Sequence, residues 1–258
     1  MMGWFSRRRA SAPRSAAAAD WLRLARRWVS AWPQLSPEER VRLEAQTCEF
    51  RRKKHFEGCG GLEVTEEMQT AIAANACLLT LGRDGPLYSK LVSVLLYEKP
   101  FRVTVKHEAS EGVIEEYEEE RTGEAWEHGS VILSWEEIEE DREARDGRNV
   151  ILHEFAHLLD LEAGGFDGAP AVGDKAAHEA WAKVFRREYD ALIAASDAGE
   201  ETLLDEYGAS DPAEFFAVAT ECFFEDPLAL RGRHLKLYRQ MRAFFNQDPA
   251  SRRRARRS

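Results

Sequence analysis

The chain has 258 residues, 44% of them hydrophobic and 32% charged, the proportions of a soluble globular protein long enough to bury a sizeable core. No apolar run approaches the ~20 residues a membrane span needs, and no apolar stretch follows the N-terminal arginines, so neither a transmembrane helix nor a signal peptide is expected. Of the net charge of −10, the two ends contribute only arginines, which leaves a body of 27 basic against 46 acidic side chains and argues against nucleic-acid binding by the fold itself.

Residues 1–18 are rich in Arg, Ala and Ser and read as a mobile start, with one domain over 19–250 and a disordered basic tail over 251–258. Ser36-Pro37-Glu38-Glu39 is a capping box with proline at the first helical position, so a helix should start there and run through Phe50. Gly58-Cys59-Gly60-Gly61 interrupts the chain. A second helix should begin at Thr65, with Met68, Ile72, Ala76 and Leu79 at helical spacing. The pattern then changes to strands at Leu91–Tyr97, Phe101–Val105 and Val131–Trp135. The acidic stretch Glu115–Glu120 reads as a solvated edge or loop.

A helix around residues 149–160 follows, then a Gly-rich loop from Ala163 to Asp174. A long helix is expected over Lys175–Ala195, a connection over Leu203–Ser210, a helix from Asp211-Pro212 to Phe224, and another over Pro227–Phe245. The fold class is α+β, mostly helical, with a small mixed β-sheet beside the helix at 149–160. Cys48, Cys59, Cys77 and Cys222 form no CxxC pair and no zinc-finger spacing, and reduced thiols in a cytoplasm are the simplest reading.

The helix at 149–160 carries the chemistry. His153-Glu154-Phe155-Ala156-His157 has the HExxH form. Two histidines four residues apart share one helical face and can reach one zinc ion, while Glu154 lies close enough to act on a metal-bound water without being a ligand. Ile151, Leu152, Phe155, Leu158 and Leu159 gather on the other side of the helix. This suggests zinc-assisted hydrolysis of a peptide bond.

A catalytic zinc usually has three protein ligands. The extended HExxHxxGxxH pattern is absent, because Asp160 and Ala163 stand where Gly and His would be needed. Glu214 is the best candidate, early on an otherwise apolar helix. Asp211-Pro212-Ala213-Glu214 is also a capping-box pattern, and spacing alone leaves cap and ligand open. Glu221 shares the face of Glu214 but lies ~10.5 Å along the axis, too far for both to bind one ion. Glu179 is a further candidate. Asp160 is either an acceptor that orients a ligand histidine or a plain helix-surface acid.

Several runs together resemble the Mlc titration factor A family: His55-Phe56-Glu57-Gly58, Ile72 to Leu79, Val131 to Trp135, Asp146-Gly147-Arg148-Asn149-Val150, His153 to Asp160, and Tyr207-Gly208-Ala209-Ser210-Asp211-Pro212-Ala213-Glu214 continuing to Val218. The resemblance spans roughly residues 20 to 250. It implies a zincin-like cytoplasmic zinc metallopeptidase of aminopeptidase type, and binding to a transcriptional repressor of the Mlc type that regulates sugar phosphotransferase expression. Carried over, it makes His153, His157 and Glu214 the ligands of one Zn2+ per chain, Glu154 the general base, and Tyr207 a stabiliser of the transition state.

Zinc would then polarise its water and the scissile carbonyl, Glu154 would take the water's proton and pass it to the leaving amine, and Tyr207 would donate to the oxyanion. The strand Val131–Trp135 is expected to form the sheet edge on which a peptide substrate adds. The alternative is a non-catalytic regulatory protein that sequesters a repressor, with the zinc structural. The intact Glu154 argues against a purely structural metal.

Overall fold

The computed structural model describes residues 16–85, 88–109, 113–121, 123–126, 129–165 and 167–255. In chain order its elements are helix α1 (Ala16–Trp28), a 3-10 turn (Trp32–Gln34), α2 (Pro37–Lys53), strand β1 (His55–Gly58), α3 (Glu66–Thr80), β2 (Ser93–Tyr97), β3 (Phe101–Ala109), β4 (Val113–Arg121), β5 (Gly123–Trp126) and β6 (Ser130–Ser134). Then come α4 (Trp135–Ala144), α5 (Val150–Glu162), α6 (Lys175–Asp197), a second 3-10 turn (Glu206–Ala209), α7 (Pro212–Glu225), α8 (Pro227–Arg233), α9 (Leu235–Phe245) and α10 (Pro249–Ala255). The molecule is mostly helical with a small mixed sheet, the α+β class the sequence implies.

Local chemistry explains most of the boundaries. The capping box before α2 is complete: Glu39 N donates to Ser36 Oγ at 3.2 Å and Ser36 N to Glu39 Oε2 at 2.8 Å. Thr65 caps α3 through Met68 N at 3.2 Å. From Thr70 to Thr80 every α3 residue is buried. That helix is therefore a central strut packed against α1, α2 and α5 rather than an amphipathic surface helix.

The sheet order is β1-β2-β6-β5, with the first three strands parallel and β5 antiparallel to β6. Val94 pairs with Val131 and Leu96 with Leu133, and all four side chains are fully buried. The expected edge at Val131–Trp135 is therefore corrected: β6 lies inside the sheet, and its continuously apolar run is what a two-sided burial demands. The edge strands of this sheet are β1 and β5. Strand β6 also ends at Ser134, whose hydroxyl caps α4, so Trp135 begins a helix the sequence pattern hid under its Glu-rich composition.

Other expectations change too. The acidic stretch Glu115–Glu120 is part of β4, paired antiparallel with β3 from Phe101↔Arg121 to Ala109↔Val113. A long partner strand supplies the ladder that composition alone did not reveal. The helix expected over Pro227–Phe245 breaks at His234, which leaves helical geometry (φ −125°, ψ 54°) with its ring nitrogen Nδ1 2.8 Å from Glu188 Oε2. Residues 251–255 are helical, not a disordered tail. Arg252 is drawn in by an ion pair with Glu39 and hydrogen bonds to Gln247 at 3.1 Å.

Helix α5 sits at the centre, against α7, α3 and strands β5 and β6. Its Phe155 lies in an aromatic knot with Phe50 (5.8 Å) and Tyr88 (4.9 Å), anchored by Tyr88 Oη donating to Ala76 O at 2.7 Å. Among the described residues no helix is long and apolar enough to cross a membrane.

Candidate metal centre

Asn149 caps α5, its Oδ1 accepting from Leu152 N at 3.2 Å. The helix buries Ile151, Leu152, Phe155, Leu158 and Leu159, as the periodicity requires. Its other face is not solvated either. Glu154, His157 and Asp160 are all buried, because α7 lies across that face.

Helix α7 brings the partners. Asp211 accepts from Ala213 N at 2.8 Å and Glu214 N at 3.0 Å, so the helix is capped without using the Glu214 carboxylate. That carboxylate turns to α5. Its Oε2 lies 2.8 Å from His153 Nε2 and its Oε1 3.5 Å from His157 Nε2. The spacing left cap and ligand open, and in the structure the cap is made by Asp211.

His153, His157 and Glu214 each present a ligand atom within 4.8 Å of the others. Ligands of a tetrahedral zinc at 2.0–2.1 Å stand about 3.4 Å apart, so a small contraction of the cluster would close it on an ion. Two imidazoles and a carboxylate are also the donor set of a three-ligand hydrolytic site. Charge points the same way, since the carboxylates of Glu154, Glu214 and Glu221 surround two imidazoles and call for a cation. Burial disfavours the charged ring of His153, but the hydrogen bonds it donates to Glu214 and Glu221 outweigh this and hold the histidine well above its usual range. Burial likewise opposes the Glu214 carboxylate, yet His153 and His157 bring it down to about 2.

Glu221 is the residue whose role sequence reasoning missed. It is too far from Glu214 to share an ion, and it does not need to. Its Oε1 is 2.7 Å from His153 Nδ1, the nitrogen opposite the one facing Glu214, and its Oε2 accepts from Asn149 N at 2.6 Å. A carboxylate on the far nitrogen fixes a metal-ligating histidine in orientation and tautomer. The available signal was its seven-residue offset from Glu214 on one helical face.

Asp160 is buried, so it is not the plain helix-surface acid that was one of the two readings of it. Its Oδ2 accepts from Gly168 N at 2.7 Å, and Gly168 O accepts from Trp181 Nε1 at 3.0 Å. This pins the 163–174 loop over the start of α7. Gly168 has φ +73°, and a Cβ there would stand 2.2 Å from Pro212 O, so only glycine fits. Glu179 is exposed on α6 and pairs with Lys175 at 3.8 Å, outside the cluster. Tyr207, in the 3-10 turn before α7, is 56% exposed with its ring 6.1 Å from that of His153.

A family model described as glucose-regulated metallo-peptidase M90 matches residues 3–246. The chain belongs to that metallopeptidase family. An uncharacterized protein of Synechocystis, slr2042, is 39% identical over 220 residues, covering 84% of this chain and 80% of its own. Mlc titration factor A of Yersinia pestis is 30% identical over 221 residues, covering 84% of this chain and 81% of its own, and that of Yersinia pseudotuberculosis matches equally. The family description implies a metal, and the residues of the α5–α7 cluster fit one.

Proposed function

We propose that the protein is a zinc-dependent aminopeptidase whose metal is held by His153, His157 and Glu214. The observation that carries the reading is the convergence of these three side chains with a buried Glu154 one position along the same helix. Zinc, when bound, supplies Lewis-acid polarisation of the water and of the scissile carbonyl.

The protein's own groups do the rest. Glu154, kept from bulk water, takes the proton of the attacking water and delivers it to the leaving amine. Glu221 holds His153 with Nε2 facing the ligand cluster. Tyr207, exposed beside His153, donates its hydroxyl proton in a hydrogen bond to the oxyanion. A single domain over 19–250 and a cytoplasmic setting accompany this reading. The name of the Yersinia relatives supports a second role, titration of an Mlc-type repressor, which can coexist with catalysis.

Hydrolysis of amino-acid anilides tests the proposal, with zinc content measured on the same samples. Glu154→Gln keeps the shape but cannot take the proton, so it should retain zinc and lose most of its activity. N-acetylated substrates should resist the wild type if a free amine is required. Full activity in Glu154→Gln would sink the mechanism. Zinc retention with no hydrolysis in the wild type would favour the repressor-titrating role with a structural metal.

A further inference from the structure

Among the described residues Tyr207 is one of the few large hydrophobic side chains left exposed, so its ring adds little to the core. Its backbone is nevertheless tied at both polar atoms. Tyr207 N donates to Asp205 Oδ1 at 2.9 Å. Tyr207 O accepts from Ser210 N at 3.1 Å and from Ser210 Oγ at 2.7 Å. Gly208 N donates to Asp205 O at 3.1 Å and closes the turn.

The turn is seated on two helices. Gly208 is buried, and a Cβ there would stand 3.2 Å from Leu192 Cδ2 of α6 and 3.3 Å from Val218 Cβ of α7, so the backbone lies directly on both. Tyr189 of α6 donates from Oη to Ala209 O at 3.3 Å, while its ring packs on Phe215 of α7 at 5.7 Å. Beyond Ser210 the chain passes straight into the cap of α7 at Asp211, whose Oδ1 accepts from Glu214 N at 3.0 Å. Tyr207 and Glu214 thus stand on one segment braced by successive side-chain caps.

Packing does not call for such a clamp on a residue whose ring stays largely in solvent. What the clamp fixes is the direction in which the side chain leaves the backbone, and few torsions then remain before the hydroxyl. The ring lies beside that of His153, 6.1 Å away and tilted by 38°. A donor fixed in place before reaction needs no reorganisation as charge develops, and small misplacements of such a group are costly in rate.

We propose that Asp205 and Ser210 are positioning residues for the hydrolysis, which hold Tyr207 as a fixed rather than a swinging oxyanion donor. The inference rests on the peptidase reading above. Asp205 acts through the Tyr207 N–H and Ser210 through the Tyr207 carbonyl.

The test is a double-mutant cycle on the full-length zinc-loaded protein, read by hydrolysis of amino-acid anilides and by calorimetric binding of a dipeptide phosphonate, whose tetrahedral oxygens stand in for the oxyanion. In Asp205→Ala/Ser210→Ala, kcat should fall about tenfold with KM little changed, and phosphonate affinity should fall by a similar factor. Zinc content and the circular dichroism spectrum should match the wild type. In a Tyr207→Phe background the same two substitutions should change either quantity by no more than about twofold, because no hydroxyl is left to misplace. Asp205→Asn/Ser210→Thr keeps the acceptor and the hydroxyl and should restore wild-type values. Ser210→Ala alone gives a second reading should the double substitution fail to fold. Equal losses in the wild-type and Tyr207→Phe backgrounds would overturn the proposal and leave the peptidase reading standing, since the clamp would then serve the fold alone. Wild-type values in Asp205→Ala/Ser210→Ala, or in Tyr207→Phe, would also overturn it. If the wild type binds the phosphonate without hydrolysing the anilides, the peptidase reading fails and the binding arm alone decides the positioning role. A wild type that does neither removes both.

Discussion

Replacing Glu221 with glutamine should weaken zinc binding without touching a proposed ligand. The wild-type carboxylate accepts at both oxygens, from the His153 ring at 2.7 Å and from Asn149 N at 2.6 Å. Glutamine offers only one acceptor oxygen and one NH2. If the oxygen faces the ring, the NH2 opposes the Asn149 N–H, donor against donor. If the amide turns over, its NH2 faces Nδ1 and favours the tautomer protonated at Nε2, the nitrogen that should bind metal. Either arrangement forfeits one buried hydrogen bond and sets a mismatch in its place, worth about 1–3 kcal/mol. That converts to about 5- to 150-fold in affinity, a range that brackets the roughly 10–100-fold usual on losing a partner behind a metal-bound histidine. Competition with a fluorescent zinc chelator reads it directly. Glu221→Ala should lose at least as much. Wild-type zinc affinity in both variants would refute the claim that Glu221 positions His153.

Three further outcomes follow from the geometry. Glu214→Ala should lose far more zinc affinity than Glu221→Gln, because it removes a proposed ligand, and elemental analysis after dialysis measures it. Tyr207→Phe should fold and bind zinc normally but turn over more slowly, by up to the 10²–10³ typical of one oxyanion donor and less for so exposed a group; steady-state kinetics should place the loss in kcat, and an unchanged kcat removes Tyr207 from the mechanism. Burial pushes Asp141 up to about 6 from 3.8 despite the Val150 N–H it accepts. The folded chain therefore holds that proton more tightly than the unfolded chain, and the contribution of Asp141 to stability falls as pH rises from about 4 to about 6. Asp141→Asn keeps an acceptor for Val150 and lacks the charge, so its stability relative to wild type should climb through that window by at most about 3 kcal/mol and level off above it. Urea denaturation across pH measures this, and a difference that does not vary with pH would overturn the assignment.

Much of the centre was legible from local pattern. The His153–His157 spacing, the apolar face of α5 and the caps before α2, α3 and α7 all depend on residues within a turn or two of one another. Their consequences follow from helical geometry alone. Two of the elements that local pattern did not reveal have compositions that argue against them. Strand β4 is a run of glutamates held by an antiparallel partner, and α4 is a Glu-rich helix whose start is hidden at the end of an apolar strand.

The sequence by itself determined that two imidazoles and Glu154 share one helix, and that Glu214 and Glu221 share one face of another. Only the tertiary structure decided what the two glutamates do. The crossing of α7 over α5 puts Glu214 beside Nε2 and Glu221 beside Nδ1 of the same His153 ring. One carboxylate thereby becomes a candidate ligand and the other its support. Each of the two helices is seated by side chains far apart in the chain, α5 by Phe155 against Phe50 and α7 by Phe216 against Trp181 and Phe244. No periodicity within a single helix encodes the crossing, because the angle between two helices belongs to the surfaces they share.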